Sequence, residues 1–354
     1  MPRYHNDDAL HGRGASWNPE NRFTGIRREN DGDPQREDES APRPGTDYLE
    51  EEAASILSKN DSPDVGYAFS LNPYRGCEHG CIYCYARPMH EYAGYSAGLD
   101  FETKVFVKRN APELLRAALA SARWEPQVVS LSGSTDPYQP VERNLRITRR
   151  CLEVFAEFRN PVSITTKNRM VVRDLDLLAA LAAHRAVSVC ISITTLDLAL
   201  NRVLEPRTSS PKQRLETIRA LADAGVPAGV LTAPVIPALT DHEIPAILAA
   251  AAEAGARFAG YIMLRLPHAV APLFDRWLEQ HFPGQKDKVL NRVRSLHGGK
   301  LYDSSFETRM SGSGLFAEHV ARLFTVAARR AGLDSDSPTL STAHFLRPGQ
   351  MDLL

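Results

Sequence analysis

A chain of 354 residues with 43% hydrophobic side chains is long enough for one large α/β barrel or two ordinary domains, and is expected to fold around a core as a soluble protein. The start Met1-Pro2-Arg3-Tyr4-His5-Asn6-Asp7-Asp8 has no apolar run, which excludes a secretory signal, and no stretch of about 18 apolar residues exists to span a membrane, so the cytoplasm is the expected location. The net charge of -1 hides an asymmetry: residues 1–66 carry 8 Lys and Arg against 15 Asp and Glu, and the remainder 34 against 28, a mildly basic body compatible with a polyanionic substrate.

Residues 1–65 are rich in Asp, Glu, Arg, Pro, Gly and Asn and show little apolar periodicity until residues 48–57, which read as a short helix. This acidic tail is expected to be mostly disordered, with Gly12-Arg13-Gly14-Ala15 and the stretch from Asn18-Pro19 to Arg22-Phe23 able to dock. From Gly66 onward β-branched runs alternate with amphipathic stretches. Strands are expected at 67–71, 128–133, 162–166, 187–193, 228–233 and 258–264, and helices at 111–122, 141–158, 174–184, 211–224, 241–253 and 271–281. Pro211 suits a first helical turn, and Gly225 and Gly255 suit helix ends. Six βα units in a row imply a parallel sheet with helices outside, spanning residues 66–265.

The strand faces carry further information. Ser188, Cys190, Ser192 and Thr194 make one face small and polar, whereas Val187, Val189, Ile191 and Ile193 make the other aliphatic; Ser163, Thr165 and Lys167 stand against Val162 and Ile164 in the same way. Helices must cover the aliphatic face. The polar face then points inward, into a lumen built to hold something polar, where a filled barrel would carry branched aliphatics.

Directly after the first strand comes Arg75-Gly76-Cys77-Glu78-His79-Gly80-Cys81-Ile82-Tyr83-Cys84-Tyr85-Ala86, a C-x3-C-x2-C triplet. Three thiolates on one loop can each bind one iron of a [4Fe-4S] cluster and leave the fourth iron without a protein ligand, the open position that catalysis needs. Structural zinc wants four closed ligands, and His79, inside the first cysteine spacing, would supply one in cramped geometry. A ferredoxin-type site wants a fourth cysteine, and Cys151 and Cys190 lie far along the chain.

The triplet, with an aromatic residue before its third cysteine, resembles the signature of the radical S-adenosylmethionine (SAM) superfamily. That resemblance implies a partial (β/α)6 TIM-like barrel, a cluster whose open iron is chelated by SAM, and reductive cleavage to methionine and a 5'-deoxyadenosyl radical. Further segments resemble the spore photoproduct lyase group and the wider set of DNA repair photolyases: Cys81-Ile82-Tyr83-Cys84-Tyr85-Ala86, Ser134-Thr135-Asp136, Thr165-Thr166-Lys167, Ile191-Ser192-Ile193, Glu205-Pro206-Arg207-Thr208-Ser209-Ser210 with Arg214-Leu215, and Ala233-Pro234-Val235-Ile236. By that resemblance Tyr83 lies against the adenine, Lys167 and Ser192 bind the SAM carboxylate, Ser134, Thr135 or Asp136 binds its amino group or ribose, and Arg214 belongs to the cofactor site. Spore photoproduct lyases carry a hydrogen-donating cysteine just before the Ser/Thr-Asp pair, where this chain has Gly133. Cys190, on the inward face with Ser192, is the candidate replacement; Cys151 reads as core.

Residues 266–334 form a mainly helical extension in which Arg276, Lys286, Lys288, Arg292, Arg294, Lys300 and Arg309 are interleaved with Trp277, Phe282, Tyr302 and Phe306. Such a set serves phosphate contact and base stacking on DNA or RNA, and equally a helical cap with a solvated face. Arg202, Arg207 and Arg214, after the fourth strand, could clamp phosphates or carboxylates. Residues 335–354 read as a flexible tail whose Gln350-Met351-Asp352-Leu353-Leu354 resembles the pentapeptide with which bacterial repair proteins bind the sliding clamp. The expected function is radical SAM chemistry, lyase-like, on nucleic acid, with electrons from a flavodoxin or ferredoxin; the alternatives are modification of a peptide or small metabolite, and a non-catalytic Fe-S or zinc module.

Overall fold

A computed structural model of the chain describes residues 12–23, 45–334 and 336–348. Among them the strands are, in chain order, β1 (Asp47–Glu50), β2 (Leu57–Lys59), β3 (Phe69–Leu71), β4 (Tyr74–Arg75), β5 (Lys104–Val107), β6 (Val129–Leu131), β7 (Val162–Thr166), β8 (Val187–Ser192), β9 (Ala228–Val235) and β10 (Phe258–Met263). The main sheet runs β10-β9-β8-β7-β6-β3-β2, parallel throughout except for the antiparallel edge pair of β2 with β3. The six strands expected from residue 66 onward are all present, in a parallel sheet with the connecting helices between them, as the alternation of elements requires.

The two-sided strands behave as their residues dictate. Val187, Val189, Ile191 and Ile193 are buried in the core formed with the helices, together with Val162 and Ile164. Ser130, Ser132, Thr165, Lys167 and Ser192 face a cavity on the other side. Lower in the lumen the ring of Phe258 fills the space that a side chain at Gly229 would need: a β-carbon there would meet the ring at 2.2 Å.

The expected helix over 141–158 is broken at Arg146, whose backbone is left-handed (φ 52°), into Glu142–Leu145 and Ile147–Phe158. The buried Glu142 carboxylate explains the break, because it accepts the first-turn amides of Thr148 (3.0 Å) and Arg149 (3.3 Å) and so caps the second helix from outside it. Residues 48–57, expected as a helix, are instead β1, a connecting segment and the start of β2. β1 and β4 flank β5 in a small sheet, and the cysteine loop leaves directly from β4.

Both terminal regions contribute more than their composition suggests. Residues 12–23 and 45–65, within the stretch expected to be mostly disordered, pack on the fold: Ala15 is buried, and Asn18 exchanges hydrogen bonds with Asp100 (3.0 and 2.9 Å). Residues 336–348, expected as a flexible tail, lie along the side of the sheet where the strands begin. Ser341 N donates to Arg185 O (2.8 Å), Leu346 N to Phe158 O (3.0 Å) and Arg347 Nη2 to Trp124 O (2.8 Å). The pentapeptide 350–354 lies outside the described residues. Phe345 rests against Phe158, ring centroids 6.3 Å apart. Truncating it, Phe345→Ala, should lower unfolding stability in urea by about 2 kcal/mol, less than for a fully buried ring, and leave the iron content of the protein unchanged.

Candidate active site

The cysteine loop is held from three sides before any ligand is considered. Cys77 N donates to Phe101 O (2.9 Å) and Ile82 N to Leu204 O (3.2 Å). Arg87, completely buried, donates to Cys81 O (3.0 Å), Gly98 O (2.9 Å) and Glu102 Oε1 (2.6 Å). Glu102 in turn accepts Gly14 N (3.0 Å) and Ala15 N (2.8 Å), so an N-terminal strap lies on the loop. Contact is so close that a β-carbon at Gly14 would sit 1.7 Å from Gly80 O, and one at Gly80 would sit 2.7 Å from Glu102. Glu78 closes the third side, accepting Val141 N (2.8 Å) while its own amide donates to Gln139 Oε1 (3.0 Å).

Cys77, Cys81 and Cys84 all line one cavity of about 320 Å3, with Tyr83, Ser134, Thr135, Asp136, Lys167 and Ser192 on its walls. Among the described residues no three His, Cys, Asp or Glu side chains converge on a point suited to a single metal ion. A cubane asks instead for one thiolate at each of three corners, and three thiols around one cavity can meet that need.

Lys167 and Ser192, at the ends of neighbouring strands β7 and β8, are in direct contact: Lys167 Nζ donates to Ser192 Oγ (2.5 Å) and to Ala233 O (3.0 Å), and lies 5.8 Å from the centre of the Tyr83 ring. The Tyr83 hydroxyl donates to Glu205 Oε1 and meets Thr194 Oγ1 at 3.3 Å. Glu205 received no role from its sequence position, yet it is the centre of this wall. Its carboxylate also takes Thr194 Oγ1 (2.7 Å), Asn201 Nδ2 (3.0 Å) and the guanidinium of Arg214, and stands 3.5 Å from Lys167 Nζ. Burial alone would raise the Glu205 pKa; Arg214 and Lys167 outweigh it and hold the group down at about 2.

Two expected site residues are not on the wall. Arg214, 1% exposed, spends its guanidinium on Glu205, Ser192 O (2.8 Å), Ser209 O (2.9 Å) and Thr208 Oγ1 (2.6 Å), so it positions the wall from behind. Cys190 stands in register with Thr165 and Gly229, deeper than Ser192, and is not among the cavity's lining residues. Burial pushes its thiol up to about 12 against the pull of Lys167. Cys151 is fully buried core. Thr135 and Asp136 line the cavity but are engaged: Thr135 Oγ1 donates to Gly76 O (2.7 Å), and Asp136 accepts Thr166 Oγ1 (2.7 Å), Lys167 N (2.8 Å) and Tyr138 N (2.9 Å). Asp136 Oδ2 also lies 3.4 Å from His79 Nδ1. Arg207 is 3.4 Å from Glu78.

A second cavity, about 540 Å3, adjoins the first and shares Tyr67, Tyr85, Gly133, Ser134 and Arg265 with it. Arg22, Lys59, Arg265 and Arg309 line it with Tyr67, Tyr85, Tyr92 and Tyr302, and none of its lining residues among those described is Asp or Glu. Much of the extension's expected basic and aromatic set is used elsewhere. Lys286 pairs with Asp275 (2.9 Å) and Glu279 (3.1 Å), and Trp277 is buried with its indole donating to Val203 O (3.0 Å).

Glu205→Gln strands a buried guanidinium and should cost about 3–5 kcal/mol in urea unfolding. Because the folded pKa of Glu205 is depressed below the ordinary 4.5, its contribution is fully present above that pH and is lost as pH falls toward 2. The stability of the variant should therefore fall less steeply than that of the wild type across this window.

Comparison with known proteins agrees with this architecture. The model of the Radical SAM superfamily matches residues 71–251. An uncharacterized protein of Mycobacterium tuberculosis (strain H37Rv), Rv2578c, is 36% identical over 256 residues, covering 72% of this chain and 74% of its own. Spore photoproduct lyase complexed with dinucleoside spore photoproduct superposes with a TM-score of 0.57 at 17% identity, over 81% of this chain and 80% of that one. A variant of that lyase with bound AdoMet and the same dinucleoside gives 0.54 at 16% identity, over 83% and 82%. Among the described residues no helix is long and apolar enough to cross a membrane. The chain belongs to the radical SAM superfamily, with a fold like that of spore photoproduct lyase, and is an enzyme of the class that uses a [4Fe-4S] cluster and S-adenosylmethionine.

Proposed function

We propose that the enzyme acts on a base within a nucleic acid, with Cys77, Cys81 and Cys84 as cluster ligands and the inner cavity as the SAM site. One observation carries this reading: the cavity that holds the three thiols opens into a larger one lined by four cations and four tyrosines. Cations suit a phosphate backbone, and tyrosine faces suit unstacked bases.

When bound, the cluster and SAM supply reductive SAM cleavage as the source of radical chemistry, with electrons from a flavodoxin or ferredoxin. The protein supplies orientation. The Lys167 ammonium offers a carboxylate a charge-assisted donor, and the Ser192 hydroxyl beside it, which donates to Ala233 O (3.1 Å), becomes a second on turning from that carbonyl. Tyr83, with its hydroxyl tied to Glu205 and Thr194, presents a fixed ring to the adenine. Ser134, at the junction of the two cavities with its amide donating to Asn72 Oδ1 (3.1 Å), is placed for the amino group or ribose. Asp136 acts there mainly by locking the ends of β6 and β7 together. Gly133, where the related lyases carry a donor cysteine, has its carbonyl held by the Tyr85 hydroxyl (2.5 Å). Hydrogen return by the lyase route therefore does not carry over to this position.

Protein reconstituted with iron and sulfide without oxygen, then reduced, should form 5'-deoxyadenosine from SAM. A variant with all three cysteines changed to Ala should form none and retain no iron. Lys167→Ala should weaken SAM binding about 10-fold or more, measured by equilibrium dialysis. Single-stranded oligonucleotides should stimulate 5'-deoxyadenosine formation; stimulation by peptides or small metabolites instead would reassign the substrate, and no cleavage by a fully loaded cluster would sink the catalytic reading.

A further inference from the structure

Arg265 stands where the inner and outer cavities join and Arg309 lines the outer cavity, and among the described residues a single carboxylate, that of Asp64, is paired with either of them. Arg309 is paired with Asp64 through two hydrogen bonds, Nη2 to Oδ1 and Nε to Oδ2 at 2.5 Å each, with the two side chains only 16% and 13% exposed. Arg265 has no carboxylate of its own among the described residues. Its guanidinium lies over the Tyr85 ring, 4.4 Å from the centroid; burial lowers its pKa and Arg309 lowers it further, against Tyr85, Tyr302 and Asp64. Two guanidinium groups thus share a single carboxylate. Arg265 lines both cavities and Arg309 the outer one. Asp64 is not among the residues that line either cavity.

Like charges held close in a shielded cavity are unfavourable unless an anion completes them, and a planar guanidinium fixed on an aromatic face is set to donate two parallel hydrogen bonds. We propose that Arg265 and Arg309 form a subsite for one phosphate group of the substrate, adjacent to the base that enters the inner cavity, with Asp64 and Tyr85 as positioning residues. This rests on the nucleic-acid reading for the kind of phosphate bound, a phosphodiester, but the subsite itself follows from two guanidinium groups lining one cavity that no carboxylate lines.

The test is binding of a fluorescent single-stranded deoxyoligonucleotide to the cluster-loaded protein over a salt series, read by anisotropy. Arg265→Gln and Arg309→Gln should each weaken binding about 10-fold and flatten the plot of log Kd against log salt by about 0.7, the loss of one phosphate contact on a single strand. Lys288→Gln, at an exposed site on the extension, should change neither. In oligonucleotides carrying one neutral methylphosphonate linkage, the wild type should be sensitive at one linkage, and the Arg265→Gln protein indifferent there. Arg265→Lys, which keeps the charge, should recover part of the affinity, and thermal melts confirm that the variants are folded. Variants that behave like Lys288→Gln, or that keep the linkage sensitivity, would overturn the subsite. If no oligonucleotide binds, the same proteins are titrated with inorganic phosphate and nucleoside monophosphates: binding that Arg265→Gln abolishes keeps the subsite and removes the nucleic-acid reading, and no binding at all removes both.

Discussion

A single buried carboxylate, Glu205, ties the chemistry of this molecule to its fold. A charge so far from water is tolerable only when it is matched, and here it is matched by Arg214, Lys167, Tyr83, Thr194 and Asn201. Those partners come from the cysteine loop, from the end of β7, from beyond β8 and from two helices. Satisfying one anion therefore fixes the loop against the barrel, holds Tyr83 by its hydroxyl, and keeps Lys167 extended at the cavity wall. Glu102 does the same on the far side of the loop, where it joins Arg87 to the backbone of the N-terminal strap. The cysteine loop is thus suspended between two buried acids, each neutralised by a buried arginine.

The lumen follows from the alternation of side chains along parallel strands. Aliphatic residues on β7 and β8 face the helices, which leaves hydroxyls, a thiol and a lysine on the opposite face. A barrel filled by its own side chains would be more stable and have no room for a cofactor. Here small polar residues of the strands line the cavity beside the cysteine loop, and the ring of Phe258 covers Gly229.

Period and spacing made much of this legible. The six core strands, the helices between them, the cysteine triplet, and the inward placement of Lys167 and Ser192 all express local rules: alternation, helical periodicity and position at a strand end. What stayed hidden depends on partners distant in sequence. Arg214 looked like a ligand for the cofactor because a strand-proximal arginine gives no sign of whether its counter-charge is internal, and Glu205, nine positions earlier, was that counter-charge. Cys190 lies on the expected face but deeper than Ser192 and outside the residues that line the cavity, and depth along a lumen depends on the inward residues of other strands. The strap at residues 13–15 carried a faint signal in Gly14, which close backbone approach demands, yet its partner is Glu102. Residues 336–348 carried none, since they are held largely by backbone hydrogen bonds to Phe158 and Arg185 that composition does not encode.

The nesting of the two cavities has a kinetic consequence. The ring of Phe258 covers Gly229, and the inner cavity shares Tyr67, Tyr85, Gly133, Ser134 and Arg265 with the outer one. Whatever occupies the inner chamber by that passage must arrive before the outer chamber is filled and depart after it is vacated. For any two molecules that share this passage, the one in the inner chamber is therefore first in and last out.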